Sequence, residues 1–280
     1  MAKEGALRLK PGLYLVATPI GNLGDITLRA LETLKNCDVI ACEDTRVSRK
    51  LLSAFSIAKP LISYHDHNAD QMRPLILDRI ANGQAVVLIS DAGTPLISDP
   101  GYKLVRHCYE AQLGVTFIPG PSAVIAGLVL SGMACDRFLF AGFADKSAYA
   151  ELSSINTTLI FFESAKRLGS SLKQMAKSFV DREVAVVREI TKLFEEVRRG
   201  SFEEVIKYYE ENGLPKGEVV VVLSPKNSQF QQTSLQNIDD LLRQALASHS
   251  IRDACTLVSG VLGLPRKRIY QRALELREER

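Results

Sequence analysis

Short apolar runs alternate with helical repeats over the first 120 residues. "LYLVAT", "CDVIACE", "KPLISYH", "QAVVLIS" and "GVTFIPG" are rich in Val, Ile and Leu and lack a strict polar alternation. Runs of that kind suit strands of a sheet covered on both faces. Between them, "TLRALETLK", "SRKLLSAF", "MRPLILDRIANG" and "GYKLVRHCYEAQLG" carry apolar residues at helical spacing. Strand, helix, strand in regular succession predicts an α/β domain with a mostly parallel sheet.

A second α/β layer begins near Pro121, where "SAVIAGLVLSG" reads as an apolar helix. "RFLFAGF", "TTLIFFES", "REVAVVREIT" and "GEVVVVLSP" follow as strands, with helices in "KRLGSSLKQMAKSF" and "SFEEVIKYYEEN". The polar stretch "PKNSQFQQTS", 225–234, reads as a linker. Three helical patterns close the chain: "LQNIDDLLRQALA", "IRDACTLVSGVLG" and "PRKRIYQRALEL", with Pro265 suited to the first position of its helix. The expected division is 1–120, an N-terminal α/β domain; 121–224, a second α/β domain; 225–234, a linker; and 235–280, a C-terminal helical domain.

Composition narrows the class. The 280 residues are 46% hydrophobic and 24% charged, which fits a packed globular chain. No apolar run reaches the roughly 18 residues of a membrane span. The first residues, "MAKEGALRLKPG", lack the apolar core of a signal peptide, so a cytoplasmic protein without a membrane partner is expected. Five scattered cysteines without a C-x-x-C pair read as reduced buried thiols, neither a disulfide frame nor a zinc site. A net charge of +3 does not by itself point to nucleic acid.

In a parallel sheet, ligands sit beyond the carboxyl ends of the strands. Four loops lie there: Thr18–Asp25, "CEDTR" from Cys42 to Arg46, "SDAGTPLISDPG" from Ser90 to Gly101, and "PGPSA" from Pro119 to Ala123. Gly and Pro make tight turns anywhere, but four such loops on one sheet edge point to a ligand. None matches G-x-x-x-x-G-K-[ST] or G-x-G-x-x-G, so a phosphate cradle is not expected. Ser122 is not in a G-x-S-x-G elbow, which argues against a hydrolase. Glu43, Asp44 and Arg46 suit either catalysis or an ion-pair network that caps the next helix. His65-Asp66-His67 reads as a solvated turn, not a metal site. Glu163-Ser164 and Glu189-x-Thr191-Lys192 are further polar groups at strand ends, able to line a cleft between the halves.

"ATPIGNLGDIT", "CEDTR", "SDAGTPLISDPG", "IPGPSA", "LIFFES", "REITKLFEE" and "KGEVVVVLSP" occur in order over about residues 12 to 224. Together they resemble the tetrapyrrole methylase superfamily, and more narrowly its ribosomal branch of 16S rRNA ribose methyltransferases. The resemblance implies two α/β domains with S-adenosylmethionine folded into the cleft between them, and a homodimer. It implies 2′-O-methylation of a cytidine in the decoding region of 16S rRNA, in the small ribosomal subunit. The family's proline after the first strand is Pro19, and its loop, with Gly21, is expected to wall the cleft near the transferred methyl. The G-D-P loop corresponds to Gly93-Thr94-Pro95, with Ser98 following. Thr94 stands in the acidic place, so the carboxylate moves to Asp91. The small pair after the P-G turn is Ser122-Ala123; the second domain's contacts are Phe162, Glu163, Ile190 and Thr191. One segment departs from the branch. A longer basic stretch usually follows its "GF" strand, whereas "GFADKSAYAELSS" has Lys146 as its only base.

Methylation of a hydroxyl needs positioning and a proton acceptor. Glu43, Asp44, Asp91, Glu189 and a Lys192 of lowered pKa are the candidates, and Arg46 is a candidate phosphate contact. Residues 251–280 carry seven Arg/Lys against four Asp/Glu. "LGLPRKRIYQ" resembles a helix-turn-helix head for rRNA phosphates, with Tyr270 for stacking. A solvated basic helix is the plainer alternative. A small-molecule methyltransferase and a non-enzymatic ribosome-assembly factor remain the rival functions.

Overall fold

Five strands make the first sheet: β1 (Gly12–Val16), β2 (Val39–Cys42), β3 (Leu61–Ser63), β4 (Ala85–Ile89) and β5 (Val115–Ile118). The computed structural model describes residues 9–227, 238–247, 249–262 and 266–278. The sheet is parallel throughout, in the order β3-β2-β4-β1-β5. β2 and β4 are buried at every position, which is why "VIAC" and "AVVLI" show no alternation. Helices α3 (Ala69–Ala81) and α4 (Tyr102–Glu110) cover one face, where Ile76, Ile80, Leu104 and Cys108 pack on Leu13, Val86 and Leu88. Helices α1 (Leu28–Asn36) and α2 (Thr45–Ala54) cover the other, with Leu34 and Leu52 against Val16, Ile40 and Ile89.

The second sheet is mixed. β6 (Phe138–Phe143) runs parallel to β7 (Thr158–Ser164); β10 (Glu218–Leu223) is antiparallel to β7 and to β8 (Val184–Arg188), and β9 (Glu196–Gly200) is antiparallel to β8. The order is β6-β7-β10-β8-β9. β9 is absent from the sequence reading. Its "EVRRG" is an edge strand with Arg198 and Arg199 exposed, so it lacks the apolar signature of a strand; charge on an edge also blocks pairing with another chain.

Helices α6 (Tyr149–Ser154), α7 (Leu168–Ser178) and α8 (Phe202–Asn212) close one face of this sheet around Phe161, Leu172, Phe179 and Val221. Helix α5 (Ala123–Ser131) lies on the other face, where Val124 and Leu128 join Ile160, Val187 and Val220. It approaches so closely that a Cβ on Gly127 would stand 2.7 Å from Val220 Cγ1. Ile20, from the first sheet's loop, packs in the same cluster and joins the two halves.

The expected linker overlaps 228–237, which lies outside the described residues, as does Pro265. Its first residues are fastened to the second sheet's end: Lys226 N donates to Asn156 Oδ1 at 2.9 Å and Asn227 N to Asp181 O at 2.9 Å. The terminal helices, α9 (238–246), α10 (Ile251–Leu262) and α11 (Arg266–Glu278), enclose their own core of Leu242, Ala254, Cys255, Val258, Ile269 and Ala273. Asp239 holds Arg272 through two hydrogen bonds of 2.8 and 2.7 Å. Among the described residues no helix is long and apolar enough to cross a membrane.

Gly127→Val should force α5 off β10 and lower stability by about 2–3 kcal/mol, as overpacking of a tight contact does. Urea denaturation checks this; an unchanged midpoint would show that the contact can relax.

Candidate functional site

The loops after β1 and β4 are joined by main-chain pairing. Thr18 N donates to Gly93 O at 2.9 Å and Gly93 N to Thr18 O at 3.0 Å. Gly93 has φ +79°, and a Cβ there would lie 3.2 Å from Ile20 Cγ2. Thr94 Oγ1 donates to Pro121 O at 3.0 Å, which ties in the loop after β5. Three strand-end loops thus form one rigid ledge.

Facing this ledge are the ends of β7 and β10 and the start of α5. Between them opens a cleft of about 380 Å³. From the first half it is lined by Ile20, the 92–94 segment and the 97–99 segment, and from the second by Ser122–Val124, Phe143, Phe162–Ser164, Ile190 and Gly217–Val220. Of the expected cofactor contacts, Gly93, Thr94, Ser98, Ser122, Ala123, Phe162, Glu163 and Ile190 line it. Pro19, Gly21, Asp91, Pro95 and Thr191 lie behind or beside its walls. Pro95 is buried under the ledge. Gly21 is pressed against Lys192, since a Cβ there would stand 2.6 Å from Lys192 Cγ.

Side-chain directions refine these assignments. Phe162 faces the cleft side of the sheet, so its neighbour Glu163 faces the opposite core. The Glu163 carboxylate is fully buried and held by Arg167 at 2.8 Å and by the Ser171 hydroxyl, so it offers the cleft only its main chain. Ser122 caps α5 without a side-chain hydrogen bond to the helix, which leaves its hydroxyl at the cleft. Leu96, Ser98, Glu189 and Thr191 all have positive φ (74°, 65°, 48° and 68°). Such strain gathers where a loop must hold a particular shape around a ligand.

An open basin of about 440 Å³ adjoins the ledge, lined by Glu43–Arg46, Ser63, His65, His67 and Asp91. Here Arg46 Nη2 meets Asp44 Oδ2 at 2.6 Å. Those bonds, with the Arg46 main-chain N–H, hold the Asp44 carboxyl down at about 2. Asp91 Oδ1 accepts from Asp44 N at 3.1 Å. The His65 and His67 rings meet edge to face at 6.0 Å. Burial, with the charges of Asp91 and Asp66, raises the pKa of Glu43.

Lys192 corrects one expectation. Its Nζ sits 3.0 Å from both Glu189 Oε1 and Glu218 Oε2. Burial works against its charge, but the bonds to Glu218 and Glu189 outweigh it and its pKa is raised, not lowered. The amine stays protonated and has no lone pair with which to accept a proton. Glu189, its partner, is pulled below its ordinary value: burial would raise it, and the Lys192 bond wins.

Asp99 is the residue the sequence reading passed over. It lines the cleft at the end of the third loop. Burial and the nearby charge of Glu43 push its carboxyl up to about 6, while a hydrogen bond from Ser90 works the other way. Its signal lay in "SDPG", where a carboxylate sits among strained residues at a strand-end loop. Gly217 and the first residues of β10, Glu218, Val219 and Val220, were likewise legible as a motif but not as a wall.

Residues 12–206 match the family profile of the Tetrapyrrole (Corrin/Porphyrin) Methylases, and residues 232–277 match the RsmI C-terminal HTH domain. Proteins named ribosomal RNA small subunit methyltransferase I are similar along nearly the whole chain. That of Erythrobacter litoralis is 48% identical, covering 96% of each chain. That of Mesorhizobium japonicum is 44% identical, covering 96% of this chain and 94% of its own. Among solved structures, a cobalt precorrin-4 methyltransferase superposes with a TM-score of 0.57 at 17% identity, covering 80% of this chain and 97% of its own. A diphthine synthase superposes at 0.58 with 14% identity, covering 76% and 89%. At those identities the likeness is one of fold.

Because Asp99 binds its proton more tightly folded than unfolded, folding stability falls as pH rises from about 4 to 6. Asp99→Asn should therefore raise the melting temperature at pH 8 by about 2–4 °C, or about 1 kcal/mol after allowance for solvent screening, and by less at pH 4. Paired calorimetric melts at the two pH values test it; equal shifts at both would remove the charge from the account.

Proposed function

The chain belongs to the tetrapyrrole methylases, in the branch of ribosomal RNA small subunit methyltransferase I, and we propose that it uses S-adenosylmethionine to methylate the ribose 2′-oxygen of a cytidine in the decoding region of 16S rRNA. The observation that carries the reading is the cleft itself. Among the described residues that line it there is no Lys or Arg, and Asp99 and Glu218 add negative charge. A nucleoside with a sulfonium cation and no phosphate suits such a site; a nucleotide would want the opposite charge. Apolar walls of Ile20, Ile97, Phe143 and Val220 take the flat parts of the ligand. The main chain of 92–94 and 217–220, the Ser98 and Ser122 hydroxyls and the N-terminus of α5 supply its polar contacts. When bound, S-adenosylmethionine supplies an activated methyl group.

On this reading Thr18 and Gly93 hold the ledge that orients the methyl donor. Pro19 and Gly21 shape the loop above it, with Gly21 leaving room for the stem of Lys192. Lys192 clamps Glu189 and Glu218, fixing the strained 189–191 turn against β10. Arg46, exposed along most of its side chain, reaches from the basin toward an RNA phosphate while Asp44 steadies it. The small subunit meets the basic C-terminal helices, joined to the second domain through 225–234. A cytoplasmic homodimer belongs to the same reading: Ile125 and Val129, one turn apart on α5, are exposed and apolar, as a second copy would require.

Label from S-adenosylmethionine should enter 16S rRNA of small subunits from cells lacking the enzyme and survive alkaline hydrolysis as a 2′-O-methyl dinucleotide. Label in tetrapyrrole precursors instead would overturn the substrate assignment. Ala92→Trp, an exposed position at the cleft, should weaken S-adenosylmethionine binding at least about 100-fold by calorimetry while the protein stays folded. Reversing the charges of Arg266, Lys267 and Arg268 together should reduce the slope of log affinity for RNA against log salt by about 2–3. An unchanged slope would take that helix off the RNA.

A further inference from the structure

Three acidic residues line the cleft, Glu163, Glu218 and Asp99, and Glu163 does so through its main chain alone. Glu163 is held by Arg167 and Ser171, and Glu218 by Lys192. Among the described residues Asp99 has no cation against it. The charges acting on it are Glu43 from the end of β2, Asp66 from the loop after β3 and Asp91 from the end of β4, all negative. Glu218 stands on the opposite wall. The nearby cations are engaged elsewhere, Arg46 with Asp44 and Lys192 with Glu189 and Glu218. His65 lies on the far side, in the basin with Glu43.

Asp99 also stands on a loop that borders both openings. The loop 90–101 sends Asp91 into the basin and residues 92–94 and 97–99 into the cleft. A methyl donor lying in the cleft and an RNA strand entering over the basin would meet there.

We propose that the carboxylate of Asp99 is the catalytic residue that accepts the proton of the ribose 2′-hydroxyl. The inference rests on the ribose methyltransferase reading above. In the step, an electron pair of the hydroxyl oxygen forms the bond to the methyl carbon, and the carbon–sulfur bond breaks with its pair staying on sulfur. The O–H proton goes to a carboxylate oxygen of Asp99. One positive and one negative charge are consumed together, so the half-buried site ends neutral; the proton then leaves through the basin. A base whose pKa lies near the working pH serves best in such a transfer, and the raised carboxyl of Asp99 meets that condition. Asp44, held at about 2, is a far weaker base.

Two readouts test the assignment. In the protein without ligand, carbon-13 labelling of aspartate carboxyls should reveal one group titrating near pH 6 that disappears in Asp99→Asn and moves to lower pH in Glu43→Gln, because a like charge has been removed. In single-turnover transfer to small subunits, the wild-type rate should rise tenfold per pH unit below about 6 and then level. Asp99→Asn should lose that limb and about 10²–10⁴ of the rate, with the dissociation constant for S-adenosylmethionine raised by less than about tenfold, as loss of one negative charge near the sulfonium would produce. If Asp99→Asn does not fold, Asp99→Ser carries the same expectations. A variant that keeps the wild-type rate and limb overturns the proposal. So does one that loses cofactor affinity 100-fold yet turns over normally at saturation, since Asp99 would then hold the methyl donor. Failure of the wild type to label any 2′-oxygen strikes the underlying reaction instead, and the inference falls with it.

Discussion

Two hydrogen bonds between Thr18 and Gly93 decide where everything else at the cleft can stand. They are an antiparallel bridge between loops that leave adjacent parallel strands. A parallel ladder ends where its strands end, and the loops beyond it are ordinarily free to diverge. Here they are recaptured, and Gly93 is the residue that allows it, at a positive φ with Ile20 close by. Ile20, held in place, reaches the core of the second half. Thr94, held in place, reaches Pro121 at the start of the second half. The bridge therefore does two things: it makes a ledge for a ligand and it fixes how the two sheets meet across that ligand.

The first sheet was legible because its physics is written in runs. A strand buried on both faces needs apolar residues at every position, and "AVVLI" or "VIAC" has no competing interpretation at that length. Its strand-end loops were legible for the same reason, since a break from unbroken apolar residues into Gly, Pro and Asp marks the sheet's edge. The second half was harder. "EVVVV" and "VAVV" are as apolar as the strands of the first sheet, so nothing in them says that β10 runs antiparallel to both neighbours. Strand direction is set by how the connections fold back, and that information is spread over whole segments. β9 was hidden by its charges. Lys192 was misread because a lysine near a cleft can be a base or a clamp; Glu189 lies three residues away in sequence, but Glu218 comes from a different strand. Asp99 was overlooked for a related reason. Its environment is made by Glu43, Asp66 and Asp91, each on a different loop, and only folding brings them together.

The distribution of charge divides the labour of the molecule. RNA binding needs cations, because phosphate contacts supply most of the affinity. A sulfonium ligand needs the reverse. A single surface serving both would have to hold Lys and Arg beside the cationic ligand. In this fold the cations at the cleft rim are neutralised by partners, Lys192 by two glutamates and Arg46 by Asp44. Arg266, Lys267 and Arg268 lie beyond the expected linker, on α11, which belongs to helices with their own core. The weakly basic "GFADKSAYAELSS" segment fits that division: the second half contributes Phe143 and Ser164 to an apolar and polar cleft, and its Lys146 is the segment's single base.

That separation also explains why an unfavourable group can persist at the centre of the site. Asp99 is half-buried among three other acids, and the folded chain would be more stable without its charge. Leu96 and Ser98, just before it, hold backbone conformations that L-residues seldom adopt. Each of these features costs about a kilocalorie or more. They survive because the ledge around them is over-determined: the bridge at Thr18, the hydroxyl of Thr94 and the buried Pro95 fix the loop before the strained residues begin. A relaxed loop would let Asp99 turn toward solvent, where its carboxyl would fall back to an ordinary acid and lose its grip on a proton near neutral pH. Rigidity is thus what keeps the carboxylate in the environment that makes it a useful base, and the rigidity originates in two main-chain hydrogen bonds and a glycine.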